Sequence, residues 1–329
     1  MDVRYKRILI TGGSGFIGTN LINAFMIDGD YEILNLDLKA PLDKNQARLW
    51  RYCDILHYDA LFLAFKEFMP DVVIHLAART DISGSRLEEY SANTIGVTNV
   101  VDAVNNSSSV YKAIFASSML VCSVGYQPRE ILDYDPPNAY GESKVRGEMI
   151  VRSQMKENIW TIVRPTSIWG PWFGAPYKTF FNYVKTGKYF HISGNEKILK
   201  TYGYVENTCY QILCISKSND ISVAGQTFYL GDYSYYNIKN WADEIAELVG
   251  RRLITIPKFV CFLLAKFGDL LRLLHIQFPM SSFRLKNMST ENKVDLSRIK
   301  SIAPNLPYHR NAATKRTIEW LTDHNYQER

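Results

Sequence analysis

The chain predicts an α/β fold: a doubly wound parallel sheet followed by a smaller, mixed C-terminal domain. Three observations carry this. Short apolar runs alternate with stretches of helical periodicity through the first half. The first run, residues 8–10, passes directly into glycines spaced three apart at Gly12, Gly15 and Gly18. At 329 residues the chain can supply a full sheet domain and a second, smaller one.

The first element is a strand at Ile8-Leu9-Ile10, unbroken in aliphatic character as a strand buried on both faces should be. After Phe16, Ile17 and Gly18, the apolar residues of 19–25 recur at helical spacing. A strand, a glycine turn and a helix start together make a phosphate cradle. Amides at the helix N-terminus face an anion, and glycine lets the backbone come close to it. The second strand, residues 31–36, ends in Asp37, near the offset of about 20 residues expected of a ribose-binding carboxylate. These features predict a dinucleotide site. Asp37 favours NAD over NADP, because a 2′-phosphate there would meet like charge.

A third strand is expected to end at Cys53-Asp54-Ile55, with Asp54 capping either the adenine amino group or a helix. Residues 58–68 read as a helix that stops before Pro70. The fourth strand, residues 71–76, exits through Leu76 to Ala77 and Ala78, which are small enough to let a cofactor lie against the backbone at the strand's carboxyl end. His75 reads as a satisfied core histidine. A helix over 87–104 carries Asn93, whose amide is placed to tie neighbouring backbone groups together. The fifth strand, residues 112–118, ends in the paired hydroxyls of Ser117 and Ser118. Pro136 and Pro137 precede a helix through Met155, with Tyr140 and Lys144 one turn apart on one face. A sixth strand, residues 160–164, ends at Pro165. The pattern then becomes irregular and aromatic. We place the first domain at residues 1–168 and the second at 169–329, with part of 200–235 returning to the sheet through a strand near 226–231.

Composition narrows the function. The net charge is +5, read as scattered, which offers no case for nucleic acid but suits anionic substrates. The five cysteines show no metal spacing and read as reduced thiols in a cytoplasmic protein. The first strand begins almost at once, leaving no room for a signal peptide. Residues 257–278 are strongly apolar but interrupted by Lys266, Asp269 and Arg272, so they do not span a membrane. They form either an amphipathic helix packed on the small domain or a partner subunit, or one lying on a membrane surface.

The chemistry centres on Tyr140, Lys144 and Ser118. A phenol with a reference pKa near ~10 is too weak a base at neutral pH. A neighbouring ammonium favours the phenolate, and a serine hydroxyl can hold the substrate hydroxyl. The trio can take the proton of a carbinol while its carbon gives a hydride to a nicotinamide.

With these residues together, the chain resembles an extended short-chain dehydrogenase/reductase of the NAD-dependent epimerase/dehydratase family, which acts mainly on nucleotide sugars. The likeness runs through residues 11–18, Asp37, residues 75–78, Ser117-Ser118, Tyr140-Gly141-Glu142-Ser143-Lys144, Arg164-Pro165 with Trp169-Gly170-Pro171, residues 204–207 and residues 283–287. It implies a seven-stranded Rossmann domain, tightly held NAD, a C-terminal domain gripping the nucleotide, and a homodimer through helices 87–104 and 140–155. It also implies phosphate contacts at Lys200 and Arg284. Arg79-Thr80-Asp81 is unusual: Arg79 and Thr80 contact the sugar, or Arg79 and Asp81 simply pair. The stretch after the serine reads Met119-Leu120, where the 4,6-dehydratases carry an acidic pair. The expected function is therefore a 4-epimerase of a nucleotide sugar with a transient 4-keto intermediate. The alternatives are a reductase or dehydrogenase of 4-keto nucleotide sugars using NAD(P)H and a non-catalytic, NAD-binding scaffold.

Overall fold

In a computed structural model, residues 6–156, 159–218, 221–273 and 281–325 are described. The large sheet is built from β1 (Arg7–Thr11), β2 (Glu32–Asp37), β3 (Trp50–Tyr52), β4 (Val72–His75), β5 (Lys112–Ala116) and β6 (Trp160–Pro165). A seventh strand joins it after an excursion of some sixty residues. Before that strand come β7 (Ser167–Trp169), β8 (Phe190–Ile192), β9 (Leu199–Lys200) and β10 (Tyr202–Tyr204). The seventh is β11 (Gln226–Leu230), and β12 (Tyr236–Asn237) and β13 (Ile254–Ile256) follow it. The sheet order is β11-β6-β5-β4-β1-β2-β3, and every pair is parallel.

The helices are α1 (Phe16–Asp28), α2 (Tyr58–Phe68), α3 (Ser91–Asn105), α4 (Ala139–Gln154), α5 (Tyr177–Lys185) and α6 (Val205–Lys217). Then follow α7 (Ile238–Leu248), α8 (Lys258–Leu273), α9 (Ser282–Met288), α10 (Ser297–Ile302) and α11 (Arg310–Asn325). Side chains alternate across a strand. Accordingly Ile8 and Ile10 enter one core with Leu21, Phe25 and Ile212, while Leu9 enters the other with Leu61, Phe65 and Val100. Thus α1 and α6 cover one face, and α2, α3 and α4 the other.

Three elements differ from expectation in detail. The third strand ends at Tyr52, and Asp54 accepts the Leu56 amide at 2.9 Å, turning the chain before α2. The α2 cap position is His57, so Asp54 is not that helix's cap. The predicted helix 87–104 is split into a 3₁₀ turn at Leu87–Tyr90 and α3, with Tyr90 leaving helical geometry between them, and the Glu89 carboxylate accepts the Ser85 and Arg86 amides at the start of the turn. The helix expected within 257–278 is α8, and residues 274–278 lie outside the described residues. Among the described residues no helix is long and apolar enough to cross a membrane.

The aromatic run beyond Pro165 extends the core that Ile8, Ile10 and α1 enter, rather than forming a separate one. Trp169 and Trp241 are fully buried with ring centroids 4.8 Å apart, and Phe181, Tyr202 and Tyr236 pack edge-on or tilted around Trp241. Strand β10 pairs with β7, so the segment leaving the large sheet lies beside the one leading into α6.

Candidate active site

Because all seven strands run the same way, their carboxyl ends share one edge. The register places Thr11 opposite both Leu36 and His75, His75 opposite Phe115, and Ala116 opposite Val163. Asp37, Leu76, Ala77, Ala78, Ser118 and Pro165 therefore stand at, or just past, adjacent strand ends. Asp54 and Ile55 follow β3 in the same way.

The glycine turn is held by close approach. Gly12 has φ +73°, and a Cβ there would stand 2.5 Å from the Ala77 nitrogen. A Cβ on Gly18 would stand 2.5 Å from the Gly12 carbonyl. Gly15 takes the α1 N-cap position, adds no side-chain bond, and no acidic residue occupies the first turn, which begins with Phe16 and Ile17. This helix end is therefore suited to a diphosphate. The Asp37 carboxylate accepts one backbone amide on each oxygen, from Ser14 at 3.1 Å and Lys39 at 3.0 Å. A carboxylate has about four acceptor sites, so it keeps capacity for two ribose hydroxyls. The cradle and the carboxylate fit NAD.

Tyr140 and Lys144 lie one turn apart on α4, but they are held by different partners. The Ser118 hydroxyl stands beside the Tyr140 phenol and accepts the Leu120 amide at 3.1 Å. Burial raises the phenol above its ordinary value, and the neighbouring Ser118 hydroxyl opposes that rise. The Lys144 ammonium donates to the Ala116 carbonyl at 3.0 Å, pinning α4 to the end of β5. Burial lowers it to about 8, with the Glu148 charge acting the other way. The sequence led us to expect Lys144 to depress Tyr140. In this fold the desolvation of a buried phenol wins, and the opposing influence is Ser118.

His75 bonds the Thr11 hydroxyl through Nδ1 at 2.7 Å, and burial together with the Lys144 charge lowers it to about 3. It is a neutral core histidine, as expected. The Asn93 amide accepts the Arg79 N–H at 2.8 Å and donates to the Arg79 carbonyl and to the Ser143 hydroxyl, joining the β4 exit to α4.

Arg79 pairs with Asp81 through two bonds, at 2.8 and 3.1 Å, and donates to the Glu89 carbonyl at 2.9 Å. Its guanidinium lies 4.9 Å from the Tyr90 ring centroid, while Thr80 is exposed beside it. Arg79 and Asp81 are thus paired in this structure. Lys200 sits in β9, where its ammonium donates to the Asn287 carbonyl in α9, and burial lowers it to about 8. Arg284 lies in α9, but its side chain is outside the described residues.

Two groups escaped the sequence reading. Tyr90 is fully buried, and its ring centroid is 6.0 Å from that of Tyr140, which it backs. Glu148 and Arg164 form a buried ion pair at 2.7 and 2.8 Å, joined by Tyr134, Tyr229 and the Ile131 carbonyl. The signal for Glu148 was present: Tyr140, Lys144 and Glu148 recur every fourth residue on one helix. An arginine inside a buried strand also requires a carboxylate.

A glycine cradle, a ribose-type carboxylate and a Ser-Tyr pair at one sheet edge define a dinucleotide-dependent carbinol oxidoreductase fold. Residues 8–231 match the NAD-dependent epimerase/dehydratase family, and the chain belongs to that family. It is an enzyme of the extended short-chain dehydrogenase/reductase type, and its cofactor is NAD. It is similar to an N-acetyl-α-D-glucosaminyl-diphospho-ditrans,octacis-undecaprenol 4-epimerase of Escherichia coli O157:H7. The two are 26% identical over 95% of this chain and 94% of the relative. It is also 26% identical to a 3-β-hydroxysteroid dehydrogenase of Mycolicibacterium neoaurum over 76% of this chain and 72% of that one. The fold superposes on a UDP-glucose 4-epimerase from Thermotoga maritima crystallised with UDP-glucose. The TM-score is 0.73 at 20% identity, covering 97% of this chain and 99% of that one.

Proposed function

We propose that the protein is a 4-epimerase of a hexose carried on a diphosphate. Tyr140 exchanges the proton of the sugar C4 hydroxyl, and Ser118 orients that hydroxyl. The observation that carries the reading is the Ser118 hydroxyl set beside the Tyr140 phenol at the β5 end, one strand from the β4 exit that faces the glycine turn. NAD, when bound, accepts and returns the hydride. Lys144, fixed to the Ala116 carbonyl, holds α4 in place, and Tyr90 backs the phenol. A nucleotide is the carrier expected from the sequence. A polyprenol carrier is favoured by the near full-length likeness to the undecaprenol-diphosphate 4-epimerase. With either carrier the reacting sugar sits in the cleft between the large sheet and the segment from 169 onward, and Lys200 and Arg284 serve the diphosphate. The likeness to a hydroxysteroid dehydrogenase keeps net oxidation or reduction as the second reading. The outer sides of α3 and α4 expose Ile95 and Met149, which suits the homodimer.

Two measurements test this. Purified protein is denatured and the released cofactor is weighed. UDP-N-acetylglucosamine and its polyprenyl-diphosphate counterpart are then incubated separately with the enzyme and the sugars resolved by chromatography. Retained NAD and a C4 epimer support the epimerase. Stoichiometric consumption of added NAD(P)H with a 4-keto substrate would replace it with the reductase.

A further inference from the structure

The helix α8 is turned with its broader apolar stripe outward. Its small residues Cys261 and Ala265 are fully buried, against Ile192 and Leu285 of the neighbouring β8 and α9. On the other side Phe259, Phe262, Leu263 and Leu270 are 66%, 52%, 60% and 57% exposed. Their spacing of three, one and seven residues places them on one face. Lys266 stands among them, with its ammonium 5.6 Å from the Phe262 ring centroid. An ordinary surface helix buries such a stripe and exposes its charges.

The charge of the region points to what covers it. Residues 251–290 hold seven arginines and lysines against one aspartate, a segmental charge of +6. The whole chain carries +5, so the remaining residues together stand at −1. The charge is therefore concentrated here, contrary to the scattered distribution expected from composition. The one acid, Asp269, accepts the Ser282 amide at 3.1 Å and is drawn into the α8–α9 junction. Lys258 and Lys266 are exposed on the helix itself, and Arg251, Arg252 and Lys286 are exposed near its two ends in sequence.

We propose that α8 rests in the interface of a bilayer containing anionic lipid. Phe259, Phe262 and Leu263 enter the acyl boundary, and the surrounding cations meet the headgroups. Aromatic and leucine side chains on one face with lysines at its margin are what such docking requires. A twofold contact between copies would set this cationic segment against itself, whereas an anionic surface complements it. The inference does not depend on the identity of the substrate.

The test is flotation of the full-length protein with vesicles of phosphatidylcholine alone or mixed with phosphatidylglycerol. The protein should float with the mixed vesicles, far less with the neutral ones, and less as salt rises. Phe259→Ser with Phe262→Ser and Leu263→Ser should abolish flotation while NAD binding and the melting temperature stay at wild-type values. Lys266→Ala, which keeps the apolar stripe, should weaken partition about fivefold. Wild-type protein that ignores the mixed vesicles would overturn the proposal, as would a triple variant that still floats. So would a triple variant that turns a dimer into a monomer in sedimentation velocity, since the face would then belong to a second copy.

Discussion

The guanidinium of Arg164 meets the carboxylate of Glu148 through two hydrogen bonds of 2.7 and 2.8 Å, with neither side chain exposed to solvent. Glu148 lies one turn beyond Lys144, so this pair ties the helix that carries Tyr140 to β6. Burial favours the protonated carboxyl, but the hydrogen bonds and charge of Arg164 outweigh it and hold Glu148 below its ordinary value. A carboxylate depressed in the folded state adds stability above its unfolded pKa, and that stability fades as pH falls through the folded one.

Arg164→Met should accordingly destabilise the protein by about 3–5 kcal/mol at neutral pH, since it strands a buried charge. Urea unfolding at a series of pH values measures this. The gap between variant and wild type should narrow as pH drops below the carboxylate range. A gap that stays constant would mean that Glu148 is not the charged partner.

Tyr140→Phe should retain NAD and lower turnover by about 10²–10⁴-fold or more, because the ring packs on Tyr90 unchanged while the exchangeable proton is lost. The acting base is a phenol raised by burial, so the rate should climb with pH through the neutral range. Ser118→Ala removes the hydroxyl that opposes that rise and should move the climb to higher pH. A rate–pH profile of each variant decides it; near-normal turnover in Tyr140→Phe would reassign the base.

Asp37→Ala should weaken NAD by about tenfold or more, at about 1.5–3 kcal/mol for bonds to a charged acceptor, and NADP far less. Titration of both cofactors reads the difference. A wild type that prefers NADP would overturn the role given to Asp37.

Arg284→Ala should raise the KM of a diphosphate-linked sugar by about tenfold or more while NAD affinity holds, because only the substrate loses a charge-assisted bond. Lys200→Ala should act differently. Its ammonium already holds the Asn287 carbonyl, so the loss should lower stability as well as raise KM. An Arg284→Ala enzyme with unchanged KM would place the phosphates elsewhere.

Incubation with NDP-glucose should give no 4-keto-6-deoxy sugar. Met119 and Leu120 follow Ser118 in the turn where an acid would have to stand to expel water from C6. Detection of that product by mass spectrometry would show that another group supplies the acid.

What was legible in the sequence is what depends on local chain geometry. Gly12 and Gly18 report a turn because a Cβ at either would collide with backbone. The runs that became β1, β4, β5 and β6 are apolar because both faces are covered. Asn93 could be read because an amide bonds two ways. The boundary of β3 and the break before α3 were hidden, since one is set by the Asp54 carboxylate taking the Leu56 amide and the other by the backbone angles of Tyr90. The Lys144 effect on Tyr140 was misjudged for a different reason. One helix face establishes that two side chains are neighbours, but it does not reveal how far each is desolvated or which carbonyl claims the ammonium. Glu148 and Arg164, sixteen residues apart, become partners only once β6 lies under α4.

The placement of β11 bears on the order in which the protein is made. Six strands of the large sheet emerge from the ribosome in sequence, but the seventh, at Gln226–Leu230, pairs with β6 only after β7 to β10, α5 and α6 have been synthesised. Until then β6 offers one side of its backbone as an open edge, and α1 lacks the α6 surface that covers it. A nascent chain halted near residue 168 would therefore hold an unfinished sheet. The second half of the polypeptide is needed to close the first, and the two cannot be separated by a single cut.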